Sequence, residues 1–274
     1  MGINSCILHW LDELASGGAF QSHSSVLELG PQDFFFQPNV LFEIAKRRIG
    51  DVAAQAVVDS AFQPQTPFAE RQAAFYSIFG LPDYASTDPY DDRSDFSLDL
   101  NVAEKAPRRF DVIADLGTTE HVFNVANVFA FTHNSLNTGG ISIKVLPTLG
   151  DNTHGFYNIH PTVYFDVARV NSYEIVDFRY VNNMTARVPT EGPRTLIFAN
   201  EMIQGLQSFA GCAALQEHIS RTFLESLARN QREGRLGQAH NTVDYCFVAT
   251  RKTLDRPFQY PGQGVYLTEF ASAL

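Results

Sequence analysis

An apolar segment near the middle of the sequence has the pattern of a buried strand, and acidic, glycine and histidine residues follow directly after it. The segment runs from Phe110 to Leu116, and Asp115, Gly117, Glu120 and His121 stand at its end. Ligands in open α/β sheets bind just outside the carboxyl ends of the strands. Carboxyl and imidazole groups at such an end are suited to proton transfer near neutral pH. We therefore predict a catalytic site here, with His121 and Glu120 as catalytic candidates.

A second group of candidate residues lies in the loop from Gly150 to Pro161. This loop is expected to overhang the strand ends, and loops held by a rigid scaffold often carry function. His154 is the favoured catalytic candidate of the loop, and Phe156 and Tyr157 are candidates for substrate binding. A plain hydrogen-bonding role in the loop is the alternative for His154 and for His160.

The same histidines also have structural alternatives. His121 can fix its turn, and Glu120 can cap the helix expected to start near Val122. A metal site from Glu120, His121, His154 and His160 would lack any standard ligand spacing, so we predict no metal. His133 and His218 fall in helical segments and are predicted to be structural.

Strand-type and helix-type segments alternate along the chain. Apolar strand segments are 25–30, 83–87, 96–101, 110–116, 140–147, 173–181 and 243–250, and segments of helical spacing are 40–50, 51–62, 68–80, 161–170 and 213–232. This alternation predicts an α/β fold with a doubly wound, mostly parallel sheet that has helices on both faces. The run Phe34–Phe36 is predicted either to line a pocket or to pack in the core.

Composition limits the class of protein. A formal net charge of −10 disfavours a nucleic-acid partner, because phosphate binding needs a basic surface. No window approaches the 18 or so apolar residues of a membrane span, and the first 25 residues lack the pattern of a signal peptide. Three widely spaced cysteines, Cys6, Cys212 and Cys246, indicate free thiols in a reducing compartment. We therefore expect a soluble cytoplasmic protein.

The sequence divides into a short lead and one large domain. Residues 1–24 predict a helical lead that ends at Gly17-Gly18, and residues 25–274 form the main domain. Within this domain, residues 182–242 are assigned to a lid or to a contact in a homodimer.

Three short elements together resemble class I S-adenosylmethionine-dependent methyltransferases, and in detail a branch found in surface-sugar and natural-product pathways. The elements are Asp99-Leu100-Asn101, the run from Gly117 to Asn124 that contains Glu120-His121, and Gly155-Phe156-Tyr157 followed by Pro161. The resemblance covers about residues 25–181. It implies a seven-stranded Rossmann-like methyltransferase sheet and S-adenosyl-L-methionine as the cofactor.

The resemblance also implies which residues contact the cofactor. The first strand of the family ends in an acid and a glycine-rich turn, of which this chain keeps Glu28 and Gly30 but has Pro31-Gln32-Asp33 in place of the later glycines. Proline also removes an amide donor, so the turn must hold the cofactor differently, weakly or not at all. The implied cofactor residues are Glu28, Gly30, Asp88, Asp99, Leu100, Asp115 and Gly117.

The activity implied by this resemblance is methylation of an oxygen or nitrogen on a small molecule, namely a sugar or a natural-product intermediate. A hydroxyl acceptor needs a base, for which His121 and His154 are candidates, whereas an amine acceptor needs none. Two alternatives stay open. A degenerate fold would serve only as a binding partner, and the same scaffold can catalyse a reaction other than methylation.

Overall fold

A seven-stranded sheet forms the centre of the protein. The structure, a computed structural model, describes residues 2–150, 154–182, 194–197 and 244–264. The strands are β1 (Gly2–Asn4), β2 (Ser25–Leu29), β3 (Asp33–Phe35), β4 (Asp83–Thr87), β5 (Phe110–Asp115), β6 (Leu136–Leu149), β7 (Tyr173–Asn182), β8 (Arg194–Ile197) and β9 (Asp244–Lys252). The helices are α1 (Ser5–Ser16), α2 (Pro38–Ile49), α3 (Asp51–Phe62), α4 (Phe68–Ser77), α5 (Val125–Ser135) and α6 (Thr162–Asn171), with a 3₁₀ turn at Thr119–His121.

The main sheet is mixed and has the order β4-β2-β5-β6-β9-β7-β8. Its first four strands are parallel neighbours, whereas β9 runs antiparallel to both β6 and β7, and β8 runs antiparallel to β7. The predicted α/β sheet is confirmed, but its parallel pairing stops at β6. An apolar run such as that of β9 is typical of any strand buried on both faces, so it does not reveal the direction of the strand.

The strand order reverses next to β2. The chain passes from β2 to β4 on one side and then returns to form β5 on the other side. Such a reversal is a topological switch point, and ligands bind outside the carboxyl ends of the strands there. Leu29 pairs in register with both Thr87 and Asp115, so the three strands end at one level.

Helices cover both faces of the sheet. Val26 and Val112 face a core cluster that contains Trp10 of α1 and Phe75 of α4. Leu27 and Ile113, their neighbours in sequence, face the opposite cluster, which contains Val128 and Phe131 of α5. Successive side chains of a strand point to opposite faces, so two buried faces explain the continuous apolar runs of these strands. The predicted helices on both faces of the sheet are therefore present.

The N-terminal lead packs into the same core. β1 pairs in parallel with β3 and forms a second, two-stranded sheet. Strands of only three residues were too short to be predicted from the sequence. The Trp10 indole donates to Asp177 Oδ2 at 2.6 Å, and its ring lies 5.1 Å from that of Phe247. Phe34 and Phe36 also pack in this core, and the ring centroids of Phe34 and Phe75 lie 4.9 Å apart. Of the two predicted roles, packing in the core is therefore the one that these two side chains have.

The predicted strand at 96–101 is wrong. Phe96 makes only an isolated parallel bridge with Thr87. The Asp95 carboxylate accepts from the amide of Ser86 at 2.9 Å, and Asp99 accepts from the amide of Asn101 at 2.9 Å. A short acidic side chain that bonds to the backbone two residues away, as Asp99 does, competes with strand pairing.

Other predicted elements agree within a few residues, although β6 is longer than expected. The predicted helix 213–232, His218, Cys212 and most of the assigned lid lie outside the described residues. Cys6 and Cys246 are free thiols. None of the described helices has the length and apolar character needed to span a bilayer.

Candidate active site at the carboxyl ends of the strands

The turn after β2 requires glycine. Gly30 has φ of +73°, and its amide donates to the carbonyl of Thr87 at 2.9 Å. A Cβ atom on Gly30 would lie 2.7 Å from Thr118 Oγ1, and this hydroxyl also donates to the carbonyl of Leu29. The turns after β2 and β5 therefore touch directly at the switch point.

Glu28 supports this turn from inside the protein. Its fully buried carboxylate accepts hydrogen bonds from Tyr76 Oη at 2.7 Å, from Tyr84 Oη at 2.8 Å and from the amide of Gln32 at 3.1 Å. Burial raises the pKa of Glu28 to about 7, and the hydrogen bonds from the two tyrosines act in the opposite direction. Through Gln32, the carboxylate fixes the turn; a direct contact of Glu28 with a cofactor stays a prediction.

Glutamine side chains hold the part of the turn that lacks the family's glycines. Gln32 is 3% exposed, and its Nε2 donates to the carbonyl of Gly30 at 2.9 Å. Gln72 from α4 donates through Nε2 to the carbonyl of Gln32 at 2.7 Å. The turn is thus fixed by side-chain amides.

Asp88 is the acid that faces the turn. Its Oδ1 accepts from the amides of Tyr90 at 2.7 Å and Asp91 at 3.0 Å, and its Oδ2 lies 3.8 Å from the Cβ position of Gly30. Asp91 is paired with Arg93 at 2.7 Å, and Asp95 accepts from the amide of Ser86. Among these three acids, Asp88 is therefore the one with an oxygen close to Gly30.

Asp99 and Leu100 fix the following loop. Asp99 Oδ1 accepts from the backbone and side-chain amides of Asn101, and Leu100 is 4% exposed within the α5-side core. Asn101 in turn bonds to Asn124, whose amide donates to Asn101 Oδ1 at 3.0 Å. Two of the three elements that carry the family resemblance are thus joined directly. A cofactor contact from Asp99 or Leu100 stays a prediction.

Asp115 forms a buried ion pair that the sequence analysis missed. Its fully buried carboxylate lies 2.8 Å from Lys144 Nζ and accepts from the amides of Thr118 and Thr119, each at 3.2 Å. Buried charges need such partners. A lysine in the middle of the apolar run of β6 was the available signal. Asp115 thereby fixes the turn that contains Gly117; a cofactor contact from Asp115 or Gly117 stays a prediction.

Glu120, His121 and His154 meet at the end of this turn. His121 Nε2 and His154 Nε2 lie 3.1 Å apart, and both side chains are exposed, whereas Glu120 is fully buried. One ligand-type atom from each residue lies within 4.8 Å of the others. The predicted catalytic candidates therefore form one cluster.

Gly155 allows His154 to reach this cluster. A Cβ atom on Gly155 would lie 2.8 Å from the carbonyl oxygen and 2.9 Å from Cγ of Glu120. The next two amides, of Phe156 and Tyr157, donate to that carbonyl at 2.7 and 3.3 Å. The loop is therefore seated on the backbone of the 3₁₀ turn, and only a residue without a side chain fits at its contact point.

Aromatic side chains form an exposed rim beside the histidines. Phe123 is 72% exposed and Phe156 is 67% exposed, and their ring centroids lie 6.0 Å apart at 90°. Tyr157 Oη donates to the carbonyl of Phe123 at 3.0 Å. Exposed aromatic surface of this kind is typical of a binding site.

The remaining histidines of interest lie outside the cluster. His160 Nδ1 is 2.9 Å from Thr162 Oγ1 at the start of α6, and burial lowers its pKa. His133 bonds to Tyr173 Oη and to the carbonyl of Arg256, each at 2.6 Å, and has the predicted structural role.

Comparison with known proteins gives similar solved structures at low identity. No family model and no curated protein matches the sequence. An O-methyltransferase of a trans-AT PKS multienzyme from Brevibacillus brevis, in complex with S-adenosyl-L-homocysteine, is 11% identical with a TM-score of 0.39, over 89% of this chain and 71% of that chain. A putative sarcosine dimethylglycine methyltransferase from Galdieria sulphuraria is 13% identical, with a TM-score of 0.41 over 90% and 85%. The [4+2]-cyclase SpnF is 15% identical, with a TM-score of 0.39 over 89% and 80%.

Proposed function

We propose that this protein is an S-adenosylmethionine-dependent methyltransferase that acts on a small-molecule acceptor, an O- or N-nucleophile of a sugar or natural-product intermediate. One observation carries the proposal. The turn at Gly30, the acid Asp88 and the cluster of Glu120, His121 and His154 lie at the carboxyl ends of neighbouring parallel strands, around the switch point. The sequence elements that resemble the methyltransferase family are the ones that build this edge.

The residues around β2 fit the adenosine half of the cofactor. Asp88 Oδ2 points toward Gly30 and suits hydrogen bonding to ribose hydroxyls. Glu28 would act on the cofactor indirectly, by accepting the amide hydrogen of Gln32 and so fixing the turn. When bound, the sulfonium supplies an activated methyl group, so the main task of the chain is to orient the acceptor in line with it.

The acceptor would lie between the histidine pair and the aromatic rim. The exposed rings of Phe123 and Phe156 suit the apolar face of a sugar or another ring. An imidazole of the pair His121–His154 would take the proton of a hydroxyl acceptor, an effect usually worth about 10²- to 10⁴-fold in rate. An amine acceptor bound in its neutral form would need no base.

Turnover tests this function. The purified chain is incubated with S-adenosylmethionine and panels of sugar and phenolic hydroxyls and amines, and release of S-adenosylhomocysteine is measured. We expect acceptor-dependent release, which a His121→Gln change would reduce for a hydroxyl acceptor. Cofactor binding without turnover on any acceptor would favour another reaction on this scaffold, and absence of binding would favour the non-catalytic alternative.

The glutamine-filled turn is the observation that favours the non-catalytic alternative. The buried Gln32 side chain occupies space inside the turn, and Pro31 offers no amide donor. A Gln32→Gly change separates the two accounts. If the glutamine only supports the turn, wild type binds the cofactor and the variant binds it no more tightly. If the glutamine blocks the site, wild type fails to bind and the variant gains affinity, which would contradict the proposal for the natural chain.

A further inference from the structure

We infer that Glu120, His121 and His154 form a binding site for a divalent transition-metal ion. Two imidazole nitrogens and one carboxylate oxygen lie within 4.8 Å of one another. Their separation along the chain hides this arrangement, since His154 follows His121 by 33 residues. The sequence spacing therefore predicted no metal, whereas the folded geometry points to one.

The distance between the two imidazoles suits a shared ion. Metal–nitrogen bonds of about 2.1 Å place two ligand nitrogens roughly 3.0 Å apart at a right angle and roughly 3.4 Å apart at a tetrahedral angle. The observed Nε2–Nε2 distance is 3.1 Å. A direct N–H···N hydrogen bond has the same length. The third group is what favours the ion, because a carboxylate beside both nitrogens supplies the negative charge that a dication needs.

The three groups are held before any ion arrives. The amide of Phe156 donates to the carbonyl of Glu120 at 2.7 Å, which fixes the loop of His154 to the turn of His121. A Cβ atom on Gly155 would lie 2.9 Å from Cγ and 3.1 Å from Cβ of Glu120, so the glycine lets the loop lie against the base of this side chain. Asp115 fixes the start of the same turn through the amides of Thr118 and Thr119. Support of this kind is what a metal site requires.

The donor set indicates the class of ion. Imidazole nitrogens suit Zn²⁺, Co²⁺, Ni²⁺ and Fe²⁺, whereas Ca²⁺ and Mg²⁺ prefer sites built wholly from oxygen. Three protein ligands leave at least one position open. Since both histidines are exposed, that position faces solvent beside the aromatic rim.

A bound ion would extend the proposed function, and this part of the inference rests on it. A dication lowers the pKa of a coordinated water or hydroxyl. The acceptor hydroxyl would then be activated by the ion, and its proton would pass to solvent. With both Nε2 lone pairs used as ligands, the imidazoles would no longer accept that proton.

Metal titration tests the site without any assay of activity. The full chain, free of affinity tag and stripped with chelator, is titrated calorimetrically with ZnCl₂ and with CoCl₂, and the visible absorption of the cobalt form is recorded. We expect one ion per chain with a dissociation constant of about 1 μM or tighter. The cobalt spectrum should show nitrogen ligation.

Matched variants assign the ligands. His121→Ala and His154→Ala should each weaken binding by at least about tenfold. His160→Ala, in the same loop but bonded to Thr162, should leave binding unchanged. Both cluster histidines are exposed, so their variants are expected to fold; circular dichroism and melting temperature check this, and Glu120→Gln is a further test if folded.

Two outcomes would overturn the inference: binding weaker than about 100 μM for both ions, or tight binding that neither histidine variant weakens. Titration of the metal-free chain with S-adenosylhomocysteine is independent of these measurements. Loss of the metal site alone would leave the proposed methyl transfer standing with an imidazole base. Loss of cofactor binding alone would leave the metal site standing.

Discussion

The Nε2 atoms of His121 and His154 lie 3.1 Å apart, at the carboxyl edge of the parallel strands. One histidine comes from the turn after β5 and the other from a loop that docks on the same turn. The pair thus depends on two segments. If it acts on the acceptor as proposed, changes that displace the loop should lower turnover without lowering the affinity for the cofactor.

Changing either histidine should lower turnover more than it lowers cofactor affinity. For a hydroxyl acceptor, His121→Gln and His154→Gln are each expected to reduce kcat by about 10²-fold, with cofactor affinity within about threefold of wild type. Single-turnover kinetics and calorimetry measure the two quantities. His160→Gln is the matched control. Parallel losses of cofactor affinity and melting temperature would show that the cluster is structural.

Gly155→Ala should displace the loop from the turn. The new Cβ atom would meet the Glu120 carbonyl oxygen at 2.8 Å, so we expect a loss of about 1–3 kcal/mol in unfolding free energy, as for other overpacked sites. Turnover and metal affinity should fall with it. Gly17→Ala is the control, since its Cβ would come no closer than 3.4 Å to another atom. Equal effects of the two changes would contradict the docking role of Gly155.

The ionisation of Glu28 should make stability depend on pH. Burial raises the pKa of Glu28 from 4.5 to about 7 in the folded protein, so the folded state binds this proton more tightly than the unfolded state. Its contribution is complete below about pH 4.5 and is lost as the pH rises through about 7, a change of roughly 3 kcal/mol.

Glu28→Gln cannot ionise and removes this contribution. Urea unfolding at intervals from pH 5 to pH 8 measures how steeply the unfolding free energy of wild type and of the variant falls with pH. The difference between the two slopes does not depend on the absolute stability of the variant. A wild-type stability that falls no faster with pH than that of the variant would show that Glu28 is already ionised when the protein folds.

Breaking the ion pair Asp115–Lys144 should lower the free energy of unfolding more than replacing both of its residues. Lys144→Met leaves a fully buried carboxylate without its cation, a loss of about 3–5 kcal/mol in unfolding free energy. Adding Asp115→Asn should recover part of it. The exposed pair Lys46–Asp51 is the control, and Lys46→Met should cost less than about 1 kcal/mol. A Lys144→Met variant as stable as wild type would contradict the pairing.

The sequence predicted the elements of the site better than their contacts. Apolar runs bounded by glycine identified β2 and β5, because burial on both faces leaves an uninterrupted pattern. The predicted strand at 96–101 was wrong, because Asp99 bonds to the local backbone amide of Asn101 instead. A pattern of apolar residues carries no information about which distant side chains meet. The hydrogen bonds of Tyr76 and Tyr84 to Glu28, across 48 and 56 residues, could therefore not be predicted.

Calorimetric titration with S-adenosylhomocysteine tests most directly whether the carboxyl ends of the strands around β2 bind S-adenosylmethionine. We predict saturable binding at one site per chain by wild type. Asp88→Asn should weaken it by about tenfold or more, as for loss of a hydrogen bond to a charged group. Asp92→Asn, at an exposed acid of the same loop, should leave it unchanged. No binding at millimolar ligand, or equal affinity of wild type and Asp88→Asn, would contradict the account.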